Sequence, residues 1–356
     1  MVRALAFTLG AVGWLLLLSQ GGSARGDLRD HYTDHLRHMG EAVALTERGF
    51  DVYRRPYGEV TEGLVLPCEL HRGLFAERTA PYPPLAILAH WPMVKAEQAG
   101  LAPRWAHRLA PLWWSLLALL AVGAGGAQLR GQGLPAWLGL LALGAPLVLG
   151  AGANGFLDTG YLACGVGAAV LLGRGRPGWA LVLVALAGAM QFRGLVFAPL
   201  GLAALHALWR EGPRRVVGPV AAAAVLLTPA LAAAWVVAGT LGTIPADNPV
   251  HPSHPLRFWL LLGWTVAGAL AVGWRDRPLF SGTLVATAAV AVLERSYGYW
   301  HALALLAPLL ACLAEPRTTR RDWALALAWV LGASVLAYRE ATTPFWSWAF
   351  EGRWLF

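Results

Sequence analysis

The sequence predicts an all-α fold: a polytopic integral membrane helical bundle of about eleven transmembrane helices, whose extracytoplasmic first loop contains two interfacial amphipathic helices. Three observations predict it. The 356 residues are 57% hydrophobic and 13% charged, with a mean hydropathy of +0.52, a balance too apolar for an ordinary soluble domain. Apolar runs of roughly 15 to 24 residues, near the length that crosses a hydrocarbon core, recur along the chain. Arginines gather in short loops at alternate crossings, as basic residues do on the cytoplasmic side.

The runs fall at 4–20, 109–127, 135–153, 157–173, 178–191, 194–209, 216–239, 257–274, 279–293, 299–314 and 323–338. QFRG at 191–194 either breaks one long tilted helix or separates two short ones. Loops holding Arg174 and Arg176, then Arg210, Arg214 and Arg215, then Arg275 and Arg277, then Arg317, Arg320 and Arg321 lie inside. NGFLD at 154–158, the turn 191–194, GTIPADNPVHPSH at 242–254 and ERSYGYW at 294–300 then face out. The count puts Arg3 and Arg130 inside and the segment 23–108 outside. It closes only if PPLAILAHWPMV, 83–94, stays in the interface, which its short length favours. Four regions follow: a first transmembrane helix at 1–22, an extracytoplasmic loop at 23–108, a bundle at 109–338 and an extracytoplasmic tail at 339–356. A cleaved signal peptide is the alternative for the first segment, with MVR as its charged end; either choice exports 23–108.

The formal charge of +8 and pI near 9.9 do not call for nucleic acid. Most of the arginines form the loop pattern, which orients the chain and favours anionic lipid. Cys68, Cys164 and Cys312 lie far apart, without metal-ligand spacing or a disulfide framework. No internal repeat, glycine fingerprint or phosphate loop with its lysine is present, so nothing points to ATP-driven chemistry.

Most of the acid is exported: Asp27, Asp30, Asp34, Glu41, Glu47, Asp51, Glu59, Glu62, Glu69 and Glu77. Tyr32, Leu36, Met39 and Val43 recur at helical spacing, while Asp34, Arg37, Glu41 and Arg48 take other faces. An amphipathic helix on the membrane surface is expected, ended by Gly49. FDVYRRPYGEV and TAPYPPL follow, rich in the Pro, Gly and Tyr that fix turns. With a second short helix from PYPP, they form a platform at the outer interface.

Asp30, Tyr32, Gly49, Tyr53 and Tyr82-Pro83-Pro84, in that order after a first span, resemble the GT-C superfamily of membrane glycosyltransferases, and especially its polyprenol-phosphate-mannose-dependent branch. Asn154-Gly155-Phe156-Leu157-Asp158 is similar to an element that heads a span in those enzymes, and Gln191-Phe192-Arg193-Gly194 stands where relatives carry a basic residue near proline. The resemblance covers most of the chain in layout, and the order of short motifs carries it. It implies transfer of a sugar, mannose or another hexose or pentose, from a polyprenyl-phosphate carrier to a glycan, lipid or protein acceptor outside the cytoplasm. Where the family shows one aspartate or a tight acidic pair, this chain offers Asp27, Asp30 and Asp34.

A lipid-phosphate sugar carries its own leaving group, so one carboxylate that takes the acceptor proton suffices for inverting transfer. Asp30, Asp34 and Asp27 are the candidate bases; spaced three and four apart, they share a helix face, where like charges raise a pKa. Capping the amphipathic helix is the competing role. Asp158 either caps a span or orients the acceptor. Arg193 and Arg295, at the outer end of apolar runs, have the chemistry to clamp phosphate, against snorkelling or pairing with Glu294. Tyr297, Tyr299, Trp300 and His301 are candidate sugar contacts, against a role as interfacial anchors, and Tyr82 is a candidate substrate contact. His31, with His35 and His38, has the chemistry to hold acceptor or a divalent cation, and otherwise reads as ordinary polar surface; no other cofactor is called for. His251 and His254 read as loop polars.

Two other classes fit the composition. A transporter or lipid-sugar flippase also wants intramembrane charge, though it commonly shows repeated halves, whereas here the acids concentrate in one exported segment. A non-catalytic scaffold of envelope assembly would tolerate loss of Asp30 and Asp158. Scarce lysine with abundant Ala, Gly, Arg and Leu fits a GC-rich bacterial genome, hence a bacterial plasma membrane.

Overall fold

A computed structural model describes residues 33–66, 76–77, 79–80, 82–101, 103–133, 158–191, 194, 197–237 and 307–315, with positions 319, 320, 322 and 324. The described residues are helical, with no strand among them. One helix among them, Pro213–Val236, is long and apolar enough to cross a membrane, and Gly160–Gly173 and Pro177–Met190 are shorter apolar helices. The expected spans 4–20, 135–153, 257–274 and 279–293 lie outside the described residues, as do 299–306 of the span 299–314 and all but position 324 of 323–338.

The exported segment folds as short helices. α1 runs Thr33–Arg48. Gly49, at φ 59°, takes the left-handed conformation that only glycine adopts without strain, and turns the chain into a 3₁₀ segment, Gly49–Tyr53. α2 is the single turn Tyr57–Val60. The expected second helix is two helices, α3 (Pro84–Leu88) and α4 (Trp91–Gln98), separated at Ala89–His90. Pro92 accounts for the break: it has no N–H for the carbonyl of Leu88, and its ring would strike that carbonyl. Pro83 and Pro84 likewise suit the start of α3, where the missing N–H has no partner to lose.

Longer helices follow. α5 (Pro103–Gly131) leaves the platform five residues after α4 and packs on α4 and α1. α6 (Asp158–Gly173) and α7 (Pro177–Met190) form a hairpin over a turn at 174–176, where Gly175 has φ 68°. α8 (Ala198–Glu211) folds back along α7. The pairing is read from close approaches: Gly194 lies against the Ala187 carbonyl, Gly201 sits 3.2 Å from Val184 Cγ1, and Gly178 faces Leu208 at 4.0 Å, each measured to where a Cβ would stand. Gln191–Gly194 therefore separates two antiparallel helices. α9 (Pro213–Val237), with Pro219 and Pro229 inside it, returns beside α7, and α10 (Ala307–Ala314) packs on α6 and α5.

Small residues let these helices close on one another. Phe197, 2% exposed, lies over Gly165, where a Cβ would overlap the ring; Leu183 lies 2.8 Å from the corresponding point at Gly167. Tight backbone approach of this kind is how helices associate when the solvent is as apolar as their side chains. α7, apolar all round, is the central helix, touching α3, α6, α8 and α9. α9 is the opposite case, with only 17% of its apolar stretch buried, and Val225 and Trp235 stand 72% and 85% exposed.

One end of the bundle collects arginine. Gln128 near the end of α5 donates to the Leu313 carbonyl (3.4 Å) and accepts from Arg174 Nε (3.3 Å), and Gln132 reaches the carbonyls of Cys312 and Glu315. Gly178 meets Pro219 and Leu208 at the same level. The α6–α7 and α8–α9 turns and the ends of α5 and α10 are thus neighbours, and they bring together Arg130, Arg174, Arg176, Arg210, Arg214 and Arg215. The platform occupies the end from which α5 departs.

Candidate functional site

The centre of the platform is a polar cluster on α1. Positions 37 to 44 are buried without exception, so α1 is covered around its circumference by the rest of the platform. This corrects the expectation of a surface helix with Arg37 and Glu41 on its wet face. Arg37 is 6% exposed, His38 3% and Glu41 1%. Cover comes from the segment 79–94: Arg37 Nη2 donates to the Thr79 carbonyl (3.2 Å), Ala80 N–H donates to the Val52 carbonyl (2.9 Å), and Tyr53 Oη donates to the Tyr82 carbonyl (2.9 Å).

Both oxygens of Glu41 are occupied. Arg37 Nε lies 2.8 Å from Oε1 and His38 Nδ1 2.9 Å from Oε2. Burial by itself would raise this carboxyl, but the Arg37 charge and the hydrogen bond from His38 outweigh it and hold Glu41 below the usual carboxylate range. An ionised carboxylate only accepts, so His38 carries its proton on Nδ1 and, when neutral, presents a lone pair at Nε2. Burial, with the Glu41 charge adding to it, pushes the Tyr53 phenol up.

Aromatic rings close over His38. Tyr82, only partly buried, meets it edge-on at 4.8 Å between centroids, and the His90 ring lies 5.0 Å away at 42°. His90 is fully buried and its Nδ1 stands 3.1 Å from the Ala86 carbonyl, which fixes the proton on Nδ1 there too. The break between α3 and α4 is what turns His90 inward. Gly40 admits the Tyr57 ring on the same helix, for a Cβ there would overlap the phenol oxygen and stand 3.1 Å from Cζ.

Of the residues singled out from the sequence, Tyr82 joins this cluster. Asp34 is the second residue of α1 and Asp158 the first of α6, which puts Asp34 two turns from Glu41 and Asp158 at the platform end of its helix. Asp27, Asp30, His31, Arg193, Arg295, Tyr299 and His301 lie outside the described residues. Arg37, Glu41 and His90 were not among the candidates, and His38 was read, with His31 and His35, either as a contact to acceptor or a divalent cation or as ordinary polar surface. The usable signal was spacing: Arg37 to Glu41 is i to i+4 and His38 to Glu41 is i to i+3, both of which bring side chains together on a helix. Among the described residues no group of three or more His, Cys, Asp or Glu is placed to hold a metal ion. No family model, curated protein or solved structure matches the chain.

Proposed function

We propose that the chain is an integral membrane glycosyltransferase of about eleven spans that moves a sugar from a polyprenyl-phosphate carrier to an extracytoplasmic hydroxyl acceptor. One observation carries the reading most: arginine-bearing turns collect at one end of the bundle, while the other end bears an ordered platform built around a buried carboxylate and two histidines. A polyprenyl carrier keeps its phosphate at headgroup level, so a proton acceptor must wait at that level, on an element rigid enough to aim it. In this reading Asp30, Asp34 or Asp27 meets the acceptor, Arg193 and Arg295 face the donor phosphate, and Asp158, Tyr82, His31, Tyr299 and His301 surround the sugar and acceptor. The basic end faces the cytoplasm.

Purified wild type and Asp30→Asn in lipid, assayed for release of polyprenyl phosphate from a panel of polyprenyl-phosphate hexoses and pentoses, test the reading. Wild-type turnover, lost in a folded mutant, is the expected result. Absence of wild-type turnover across donors and acceptors refutes it and directs attention to substrate flux.

A further inference from the structure

We propose that His38 and Glu41 form a proton-accepting dyad, in which His38 Nε2 takes the proton of the acceptor hydroxyl and Glu41, a positioning residue, holds the ring. The inference rests on the sugar-transfer reading, and assigns its base to a residue the aspartate candidates did not include.

The geometry supports it in three ways. The carboxylate is itself clamped: with Arg37 on one oxygen and His38 on the other, Glu41 fixes both the tautomer and the ring plane of His38, as the orienting acid does in nucleophile–base–acid arrangements on unrelated folds. Among the described residues no hydrogen bond engages His38 Nε2. Among the described residues the half-buried Tyr82 lies edge-on over the ring, with His90 beside it. A purely structural ion pair would be served by Arg37 alone; the added imidazole brings a group whose chemistry is to accept a proton.

The step balances. The acceptor O–H bond breaks and its proton goes to Nε2. The freed oxygen pair forms the new bond to the sugar anomeric carbon, and the bond from that carbon to the carrier phosphate breaks, leaving polyprenyl phosphate. The imidazolium that results lies against the Glu41 carboxylate. Among the described residues, the charged and titratable groups facing His38 are Arg37 and Glu41 from its own helix, Tyr82 from the segment before α3 and His90 from the α3–α4 turn; Tyr53 bears on Glu41.

The test uses full-length wild type, His38→Gln, His38→Ala and Glu41→Gln in nanodiscs with the polyprenyl-phosphate sugar that the wild type turns over best. His38→Gln should lower kcat by about a hundredfold or more, the range of a lost general base, and Glu41→Gln by less. Wild-type kcat should rise with pH as the base loses its proton, and the His38→Gln residual rate should not. Added imidazole should restore part of the His38→Ala rate. A wild-type kcat that does not change with pH overturns the dyad without recourse to any variant, as does a folded His38→Gln with unchanged kcat. In both cases turnover persists, so sugar transfer survives; a wild type that turns over no donor fails at the earlier reading instead.

Discussion

Breaking the buried ion pair of α1 from one side should open the platform. In Glu41→Ala the guanidinium of Arg37, 6% exposed, loses a partner at 2.8 Å and keeps the Thr79 carbonyl, while His38 loses the acceptor of its Nδ1 proton. Removing one member of a buried ion pair is strongly destabilising, by about 3–5 kcal/mol. Because every 1.4 kcal/mol is tenfold, amide exchange over residues 37–60 should accelerate by about two to three orders of magnitude if local opening governs it. The assay is hydrogen–deuterium exchange of peptides from 37–60 and from α7 in lipid, with α7 as the unchanged internal reference. Arg37→Met combined with Glu41→Leu, which removes both charges, should exchange more slowly than either single variant, since an apolar replacement of a buried pair is commonly neutral. Acid gives a second arm. The folded-state pKa of Glu41 is depressed from its ordinary value of 4.5, so its contribution is complete above that value and is lost as pH falls through the lower folded value. Platform exchange should therefore quicken only below about pH 4.5 in wild type, and Glu41→Ala should lack this onset. Single variants that exchange within fivefold of wild type would refute the account of a clamped, desolvated carboxylate.

Two further substitutions probe packing and surroundings. Gly40→Ala drives a Cβ onto the phenol oxygen of Tyr57, itself only 5% exposed; overpacking of this kind costs about 1–3 kcal/mol, and Tyr57→Phe in the same chain should recover part of the loss in thermal midpoint. Val225→Arg places a guanidinium midway along α9 on a face that is 72% exposed. If lipid covers that face, membrane insertion worsens by about 2.5–3.5 kcal/mol, read as loss of membrane-fraction yield; an unaffected yield would sink the membrane assignment of α9.

Punctuation was legible in the sequence. Gly49 ends α1, the 174–176 turn separates α6 from α7, and Gly212 with Pro213 separates α8 from α9, each where glycine or proline leaves the backbone little choice. Other boundaries were decided by contacts between distant residues. QFRG is flanked by apolar residues on both sides, so pattern alone leaves one helix or two; the fold-back of Gly194 onto the Ala187 carbonyl settles it. The burial of Arg37 and Glu41 was hidden for a related reason. Alternation of polar and apolar residues reports which face is wet only if one face is left uncovered, and here a segment some forty residues away, anchored by Arg37 on Thr79, covers the other. His90 was invisible because its inward turn depends on what Pro92 does to α3, a local break inside what reads as one apolar run.

α5 has a mechanical consequence. Its 29 residues make a rod of roughly 43 Å, against a hydrocarbon core of about 30 Å. It packs on α1 and α4, and at and just past its far end Gln128 and Gln132 reach the carbonyls of Cys312, Leu313 and Glu315. In the proposed setting the tilt of this rod sets how high the acid–histidine cluster rides above the acyl chains. A thinner or thicker bilayer would then raise or lower the proton acceptor relative to the carrier phosphate, making lipid chain length a control on catalysis that no residue in the cluster supplies.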